Sequence, residues 1–388
     1  MSEHKNDRFP QQQDSAETVQ ESYEVTSSQD NTSSKKTLRN RVLLIVGIVI
    51  LAILLILGGT VLAALRQLRG DETVPIVERE SAYSIPEPEE SIIPLTPEEL
   101  ETMTESLETE PLPDETATEA APVEAKPIYK QEKKDPDVTN VLLLGRDSRN
   151  AAVEYGRTDT MIILSYNKRT HEVKLISLLR DMLVYIEGQD YNRINTAFAF
   201  GGIGLCINTI NDTFQLDIQD YMTIDFTGLV SVIDAIGGID VNLTADEVAL
   251  YKLYGMLDES AQAGMTHFTG EQALSHARNR ALGSDFERTR RQRDILMAIF
   301  TKVTTSMSLT EVTSLVNSVL KIVKTNLPTA TILSLATDVM TYKNDITFNN
   351  ARLPFDGTYR GVTYKKMSVI EIDVEENVKQ LHAFLYDE

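Results

Sequence analysis

Arginines and aspartates in three short clusters hold the chemistry this 388-residue sequence offers. The first cluster is Gly145-Arg146-Asp147-Ser148-Arg149, directly after the apolar run Asn140–Leu144. The second is Arg157-Thr158-Asp159-Thr160, which leads into the apolar run Met161–Tyr166. The third is Arg278-x-Arg280, followed by Asp285-x-x-Arg288-x-x-Arg291-Gln292. An arginine fork grips two phosphate oxygens at once. Mg2+ prefers one or two carboxylates together with substrate phosphates. Two aspartates beside an arginine-rich site therefore describe a place for a diphosphate bridged by a divalent cation. Each member also has a plainer reading. Asp285 suits a helix cap, Asp147 and Asp159 suit loop caps or ion pairs, and Arg288 and Arg291 suit a solvated helix face. The joint pattern is more informative than any one member.

These residues need elements to position them. Ser284 or Asp285 is placed to cap a helix predicted over Phe286–Ser306. On that helix Arg288, Arg291 and Gln292 share a stripe with Ile295 and Ile299, which predicts two arginines and a glutamine at the rim of an apolar core. The free N–H groups and positive dipole end of the helix add to such an anion site. Short apolar runs predict strands at 140–144, 161–166, 173–178, 221–226 and 239–243. Helices are predicted at 203–214, at 227–236 with Gly237-Gly238 as its stop, at 270–278, around 312–324 and at 329–340. Strand-like pieces follow to residue 372. The alternation predicts an α/β fold in three layers, an α-β-α sandwich. The first cluster would then lie past the C-terminal end of a strand, where open α/β sheets place ligands.

Several chemistries are excluded by what is missing. There is no phosphate-binding G-x-x-x-x-G-K-[ST] loop, no H-E-x-x-H metal motif and no S-D-N with K-T-G pair. Gly201-Gly202-x-Gly204 is no dinucleotide fingerprint. The only cysteine, Cys206, sits in an apolar helical stretch and reads as a buried structural thiol, so no intrachain disulfide exists. His276 reads as structural. The net charge is −21, and the part from Asp135 onward is itself mildly acidic, which argues against nucleic acid as a ligand.

The N-terminal third reads differently. Residues 1–41 are polar and read as a disordered cytoplasmic tail. Residues 42–65 carry no charge and, at about 36 Å as a helix, are long enough for a bilayer's ~30 Å hydrocarbon core. Lys35, Lys36, Arg39 and Arg41 precede this run, against Arg66 and Arg69 after it, which predicts a cytoplasmic N-terminus and an extracellular remainder in the cell membrane. Residues 66–134 are rich in proline and acid, and read as a disordered stalk. Residues 135–388 are left as one extracytoplasmic domain.

With these residues in view, the sequence resembles the LytR-CpsA-Psr family of Gram-positive bacteria. The match runs through Asn140–Arg149, Arg157–Thr160, Ser177-Leu-Leu-Arg-Asp181 and Arg193-Ile-Asn-Thr-Ala197. It continues through Asp225-Phe-Thr-Gly228 and Val232–Val241 to Arg278-x-Arg280, Asp285, Arg288 and Arg291-Gln292, covering a motif core of 140–300. The resemblance implies a ligase that moves a glycopolymer, such as teichoic acid or capsule, from an undecaprenyl (pyro)phosphate carrier to a muramic-acid hydroxyl of peptidoglycan by a phosphodiester bond. It implies Mg2+, or Mn2+, on Asp147 and Asp159, and a diphosphate gripped by Arg157, Arg180, Arg278, Arg280, Arg288 and Gln292. Asp147, Arg157, Asp159, Asp285 and Arg288 are the expected catalytic set, with Asp285 the candidate base. Leu179 stands where the family usually has Pro, and Glu287 where Gly is common. Two other functions fit the same residues: a polyprenyl-pyrophosphate hydrolase, and a non-catalytic lipid-binding or regulatory envelope protein.

Overall fold

The computed structural model describes residues 73–79, 83–88, 93–94, 125–146 and 158–386, with Ile93, Pro94 and Asp159 described by backbone only. Thr73–Glu388 forms one compact unit. Three short strands come first: β1 (Ile76–Val77), β2 (Ile93–Pro94) and β3 (Ile128–Tyr129). Then follow β4 (Val138–Arg146), β5 (Thr158–Asn167), β6 (Glu172–Leu178), β7 (Leu183–Ile186), β8 (Asp190–Arg193), α1 (Thr196–Phe214), β9 (Asp220–Asp225), α2 (Phe226–Ala235), β10 (Ile239–Leu243), α3 (Ala245–Leu253) and β11 (Gly264–Phe268). The chain continues through α4 (Gly270–Arg278), α5 (Asp285–Ser306), α6 (Leu309–Val319), β12 (Lys324–Thr325), α7 (Thr329–Thr341), β13 (Thr347–Leu353), β14 (Tyr359–Tyr364), β15 (Met367–Ile372) and α8 (Val374–Tyr386).

The central sheet has the order β12-β9-β4-β5-β6-β13. β4 pairs parallel with β9, and β6 parallel with β13, while β5 is antiparallel to both β4 and β6. The C-terminal ends of β4, β6, β9 and β13 therefore meet the start of β5 at one edge. Of the clusters singled out above, the described residues Gly145, Arg146, Thr158–Thr160 and Ser177–Asp181 map to that edge. β4 and β6 are apolar on both faces because helices cover both. On one face Leu142, Leu144, Met161, Ile163 and Ile176 pack with Phe198, Leu205, Ile210 and Phe214 of α1 and with Leu381 and Leu385 of α8. On the other, α5 lies against the sheet: Arg293 reaches Ser177 and Asn350, and Phe300 meets Phe348 edge-on at 4.4 Å. A second core gathers β10, β11, α2, α4 and α5 around Ile233, Phe268, Ala273 and Ile295.

Local signals explain the boundaries. The β5–β6 turn is closed by Asn167, whose Oδ1 accepts from the amides of Arg169 and Thr170. α2 stops where Gly237 and Gly238 take φ of +77° and +83°, and the Gly238 amide returns to the Ile233 carbonyl. The helix expected from Ile203 is the second segment of α1. Its first segment, from Thr196, was not anticipated, and Gly202 at φ 68° breaks the two apart.

Within the stretch expected to be a stalk, 66–134, the described segments 73–79, 83–88, 93–94 and 125–134 are tied to the rest of the chain. β1 pairs parallel with β3, and β2 pairs with β14. Gly204 on α1 lets the chain at 126–127 lie directly on the helix: a Cβ there would meet the Lys126 carbonyl oxygen at 1.8 Å. Asn208 then accepts from the Tyr129 amide and donates to the Pro127 carbonyl. Arg79 lies between the rings of Tyr83 and Tyr129 at 4.1 and 4.3 Å, and it pairs with Asp212 and Glu187. Composition argues for disorder when a segment lacks surface to bury, and these few aromatic and cationic side chains supply it. Among the described residues, these short segments thus pack with the domain expected from Asp135 onward. No helix among those residues is long and apolar enough to cross a membrane. The span expected at 42–65 and the tail at 1–41 lie outside them.

Candidate active site

At the edge of the sheet the N-terminus of α5 meets the turn after β6. Ser284 occupies the cap position in extended backbone, with no side-chain capping bond, and Asp285 is the first helical residue. The Asp285 carboxylate turns to arginines instead. Its Oδ1 lies 2.6 Å from Nη2 of Arg288, one turn on, and 3.9 Å from Nε of Arg180. Arg288 is 3% exposed, so this is an interior cluster at the sheet edge. A residue 105 positions away is brought to the helix terminus because Leu179 extends the β6–β13 ladder, its amide donating to the Leu353 carbonyl at 3.0 Å. A proline at that position would have no N–H to donate.

Behind Arg180 stands Asp181, 2% exposed, which accepts from Arg180 Nε and from Nη1 of Arg193, both at 3.3 Å. Neither Asp181 nor Arg193 was assigned a role from sequence. The signal was there, in an Arg-Asp pair immediately past a strand and a second arginine in the following hairpin. Such a carboxylate holds two cationic side chains in one orientation, and a buried charge of this kind needs its partners.

Arg278 and Arg280 border a cleft of about 460 Å³. The Arg278 guanidinium lies 4.4 Å over the ring of Phe226, which begins α2 beside the edge of the sheet. Gln292 donates from Nε2 to the Ala277 carbonyl at 3.4 Å, while its buried Oε1 has no partner among the described residues. The structure thus joins Arg180, Asp285 and Arg288 directly, and ties Gln292 to the end of the helix carrying Arg278. Asp147 and Arg157 lie outside the described residues. The backbone of Asp159 sits at an irregularity between β4 and β5, where Gly145 pairs with Thr160 and Arg146 with Thr158.

Arg291 departs from its expected place at the rim. It is 1% exposed and turned inward, donating from Nη1 to the Leu282 carbonyl at 3.0 Å and from Nη2 to the Asn279 carbonyl at 2.7 Å. Its charge faces Glu247 at 3.6 Å. Arg291 therefore shapes the loop between α4 and α5. Burial works to raise the Glu247 carboxyl, but the Thr244 amide and the nearby cations outweigh it and hold the group below its usual range. His276, on α4, meets the Tyr251 hydroxyl through Nδ1 at 2.6 Å. Burial, aided by Arg291 and Arg290 and opposed by Glu247, pushes its imidazole down to about 4. His276 is thus a neutral core group, as expected. Cys206 is fully buried, and burial pushes its thiol up to about 12. Glu287 accepts from Arg290 Nε at 2.8 Å, so this acid is taken up by a neighbour on its own helix.

The arrangement suits binding of an anion with more than one charge. Among the described residues no trio of metal-ligating side chains gathers.

Known proteins give this architecture a family. The LytR_cpsA_psr family model matches residues 105–381. The polyisoprenyl-teichoic acid–peptidoglycan teichoic acid transferase TagU of Oceanobacillus iheyensis is 31% identical over 251 residues, covering 62% of this chain and 74% of that protein. Other curated relatives are matched over 60% of their length. Two solved structures share the fold. TagT bound to LIIa-WTA has a TM-score of 0.54 at 24% identity, covering 66% of this chain and 94% of that one. TagT with bound octaprenyl pyrophosphate lipid has a TM-score of 0.51 at 22% identity, covering 66% and 93%. The family model spans well over half of the chain and takes in every element of the site just described, so this protein is a member of the LytR_cpsA_psr family.

Proposed function

We propose that this protein is a phosphotransferase that moves a glycopolymer from a polyprenyl (pyro)phosphate carrier onto peptidoglycan. The observation that carries the reading is the Arg180–Asp285–Arg288 cluster at the N-terminus of α5, on the edge of the sheet where β4, β6 and β9 end. A diphosphate needs charge neutralisation and positioning more than an elaborate nucleophile. Arg157, Arg180, Arg278, Arg280, Arg288 and Gln292 are the groups we assign to its oxygens. The related transferases carry the same substrates in their names, with polyisoprenyl-linked teichoic acid as donor and peptidoglycan as acceptor.

Asp147 and Asp159 would hold Mg2+, or Mn2+, beside the diphosphate. When bound there, the cation supplies neutralisation of phosphate charge. The muramic-acid hydroxyl oxygen attacks the phosphorus that bears the sugar. A new P–O bond forms, the bond to the bridging oxygen of the diphosphate breaks, and polyprenyl monophosphate leaves. The hydroxyl proton passes to Asp285, which Arg288 orients. An anchor at 42–65 with a cytoplasmic tail at 1–41 would keep the domain outside the cell membrane and beside its lipid-borne donor.

The test uses the purified protein in detergent with a synthetic polyprenyl-diphosphate oligosaccharide and peptidoglycan oligomers. Linkage of sugar to glycan is expected with Mg2+, with loss in EDTA and in Asp159→Asn. Release of lipid monophosphate without linkage would replace the transferase by a hydrolase. Retained lipid without turnover, with full in vivo function of Asp159→Asn, would leave a binding protein.

A further inference from the structure

We propose that the cleft beside Arg278 and Arg280 is a saccharide subsite, in which Tyr254 stacks on a pyranose ring while Glu271 and Ser275 hydrogen-bond its hydroxyls. The inference rests on the diphosphate reading of the two arginines and adds the part of the substrate next to it.

The cleft holds about 460 Å³, within the usual range for a small-molecule or short-oligomer site. One wall is α4. Glu271, Ser275 and Arg278 stand at successive helical turns on one face, all exposed, while Ala273, His276 and Ala277 are buried on the opposite face. The stripe is thus graded: a carboxylate at one end, a hydroxyl in the middle and a guanidinium at the other, where Arg280 joins it. A diphosphate would be repelled at the Glu271 end and attracted at the Arg278 end. A neutral, hydroxyl-rich group joined to a phosphate fits both ends. Carboxylate and hydroxyl oxygens accept from sugar hydroxyls, as a saccharide requires.

The other wall is Tyr254, at the C-terminus of α3. It is 61% exposed, and Leu253 before it is 80% exposed, whereas Tyr251 on the same helix is 1% exposed and bonded to His276. Tyr251 explains itself as core. Tyr254 buries little, yet it lines a polar cleft and offers a flat apolar ring on which a sugar ring can stack. Both sides of the reacting phosphorus bear saccharide, so the occupant is either the acceptor glycan strand or the first sugars of the donor.

The chain contains no tryptophan, so Tyr254→Trp introduces a single fluorophore at the cleft. Its emission is titrated with three probes: an N-acetylglucosamine–N-acetylmuramic acid tetrasaccharide, a lipid-free diphospho-oligosaccharide, and inorganic pyrophosphate. A saturable shift with the tetrasaccharide supports the subsite and assigns it to the acceptor. A shift with the diphospho-oligosaccharide that pyrophosphate does not reproduce supports it and assigns it to the donor. In turnover, Tyr254→Ala and Glu271→Gln are expected to raise KM for that substrate at least tenfold and leave kcat within about twofold. No shift with either saccharide, or the same shift with pyrophosphate, overturns the proposal. Calorimetry of wild-type protein with pyrophosphate separates the two readings: no binding there sinks the diphosphate site, while the saccharide titrations still decide the cleft.

Discussion

The Asp285 carboxylate holds two guanidinium groups at the end of a helix, and each member depends on the others. Removing Arg288 takes away a charge-assisted hydrogen bond at 2.6 Å and leaves a half-buried carboxylate facing the diphosphate. Arg288→Ala is therefore expected to lower transfer by roughly 10²–10³-fold in a steady-state assay, the range for loss of one preorganised donor. Arg288→Lys should recover only part of that, because an ammonium cannot reproduce the fork. An unchanged rate in Arg288→Ala would remove this residue from the site. The spacing Asp285-x-x-Arg288 was legible in the sequence because a helix brings positions three apart together. The direction of Arg291 was not. Spacing puts it on the same stripe as Arg288, and only Glu247 and the carbonyls of Asn279 and Leu282 turn it inward.

Segments 73–79 and 125–130 behave as elements of the fold although their composition resembles a linker. Gly204 makes the docking possible, since any Cβ there enters the Lys126 carbonyl. Gly204→Val is expected to displace the 126–129 segment and to destabilise the domain by about 1–3 kcal/mol, the usual cost of overpacking. Chemical denaturation gives that loss. Limited proteolysis should show new cleavage near Lys126 and Lys130, and a wild-type digestion pattern in the variant would show that the segment does not need this contact. The hairpin β7–β8 and the helix α3 are too short to be read by periodicity. They are held by tertiary partners: Ile194 donates to the Met182 carbonyl, and Glu247 closes a capping box while meeting Arg290 and Arg291.

At the scale of the whole molecule, acid should loosen the second core before it dissolves the site. His276 is held neutral in the fold, with its imidazole pushed below the ordinary 6.5 to about 4. Between those values the unfolded chain takes up a proton that the folded chain refuses. This contribution to stability is complete above about pH 6.5 and is lost as pH falls toward 4. Unfolding free energies measured across that window are expected to fall with a slope approaching one proton, and His276→Gln should flatten the slope whatever its absolute stability. A wild-type slope unchanged by the substitution would mean another group titrates there. The same core joins α4 to α5, so loosening it should also weaken diphosphate binding at acid pH.

The sequence by itself determined the class of fold, the long strands β4, β5 and β6, the helices α4 and α5 almost to the residue, and the family. All of these rest on apolar periodicity, glycine stops and ordered motifs, which are local in the chain. Tertiary structure decided what depends on partners far away in sequence. It set which arginines face the sheet edge and which are internal struts, brought Asp181 and Arg193 behind Arg180, and took residues 73–79 and 125–130 into the domain. The physical reason is the same in each case. A charged or linker-like residue has no preferred place until a carboxylate, a carbonyl or an open glycine face meets it, and those partners lie far away in the chain, 133 positions in the case of Arg79 and Asp212.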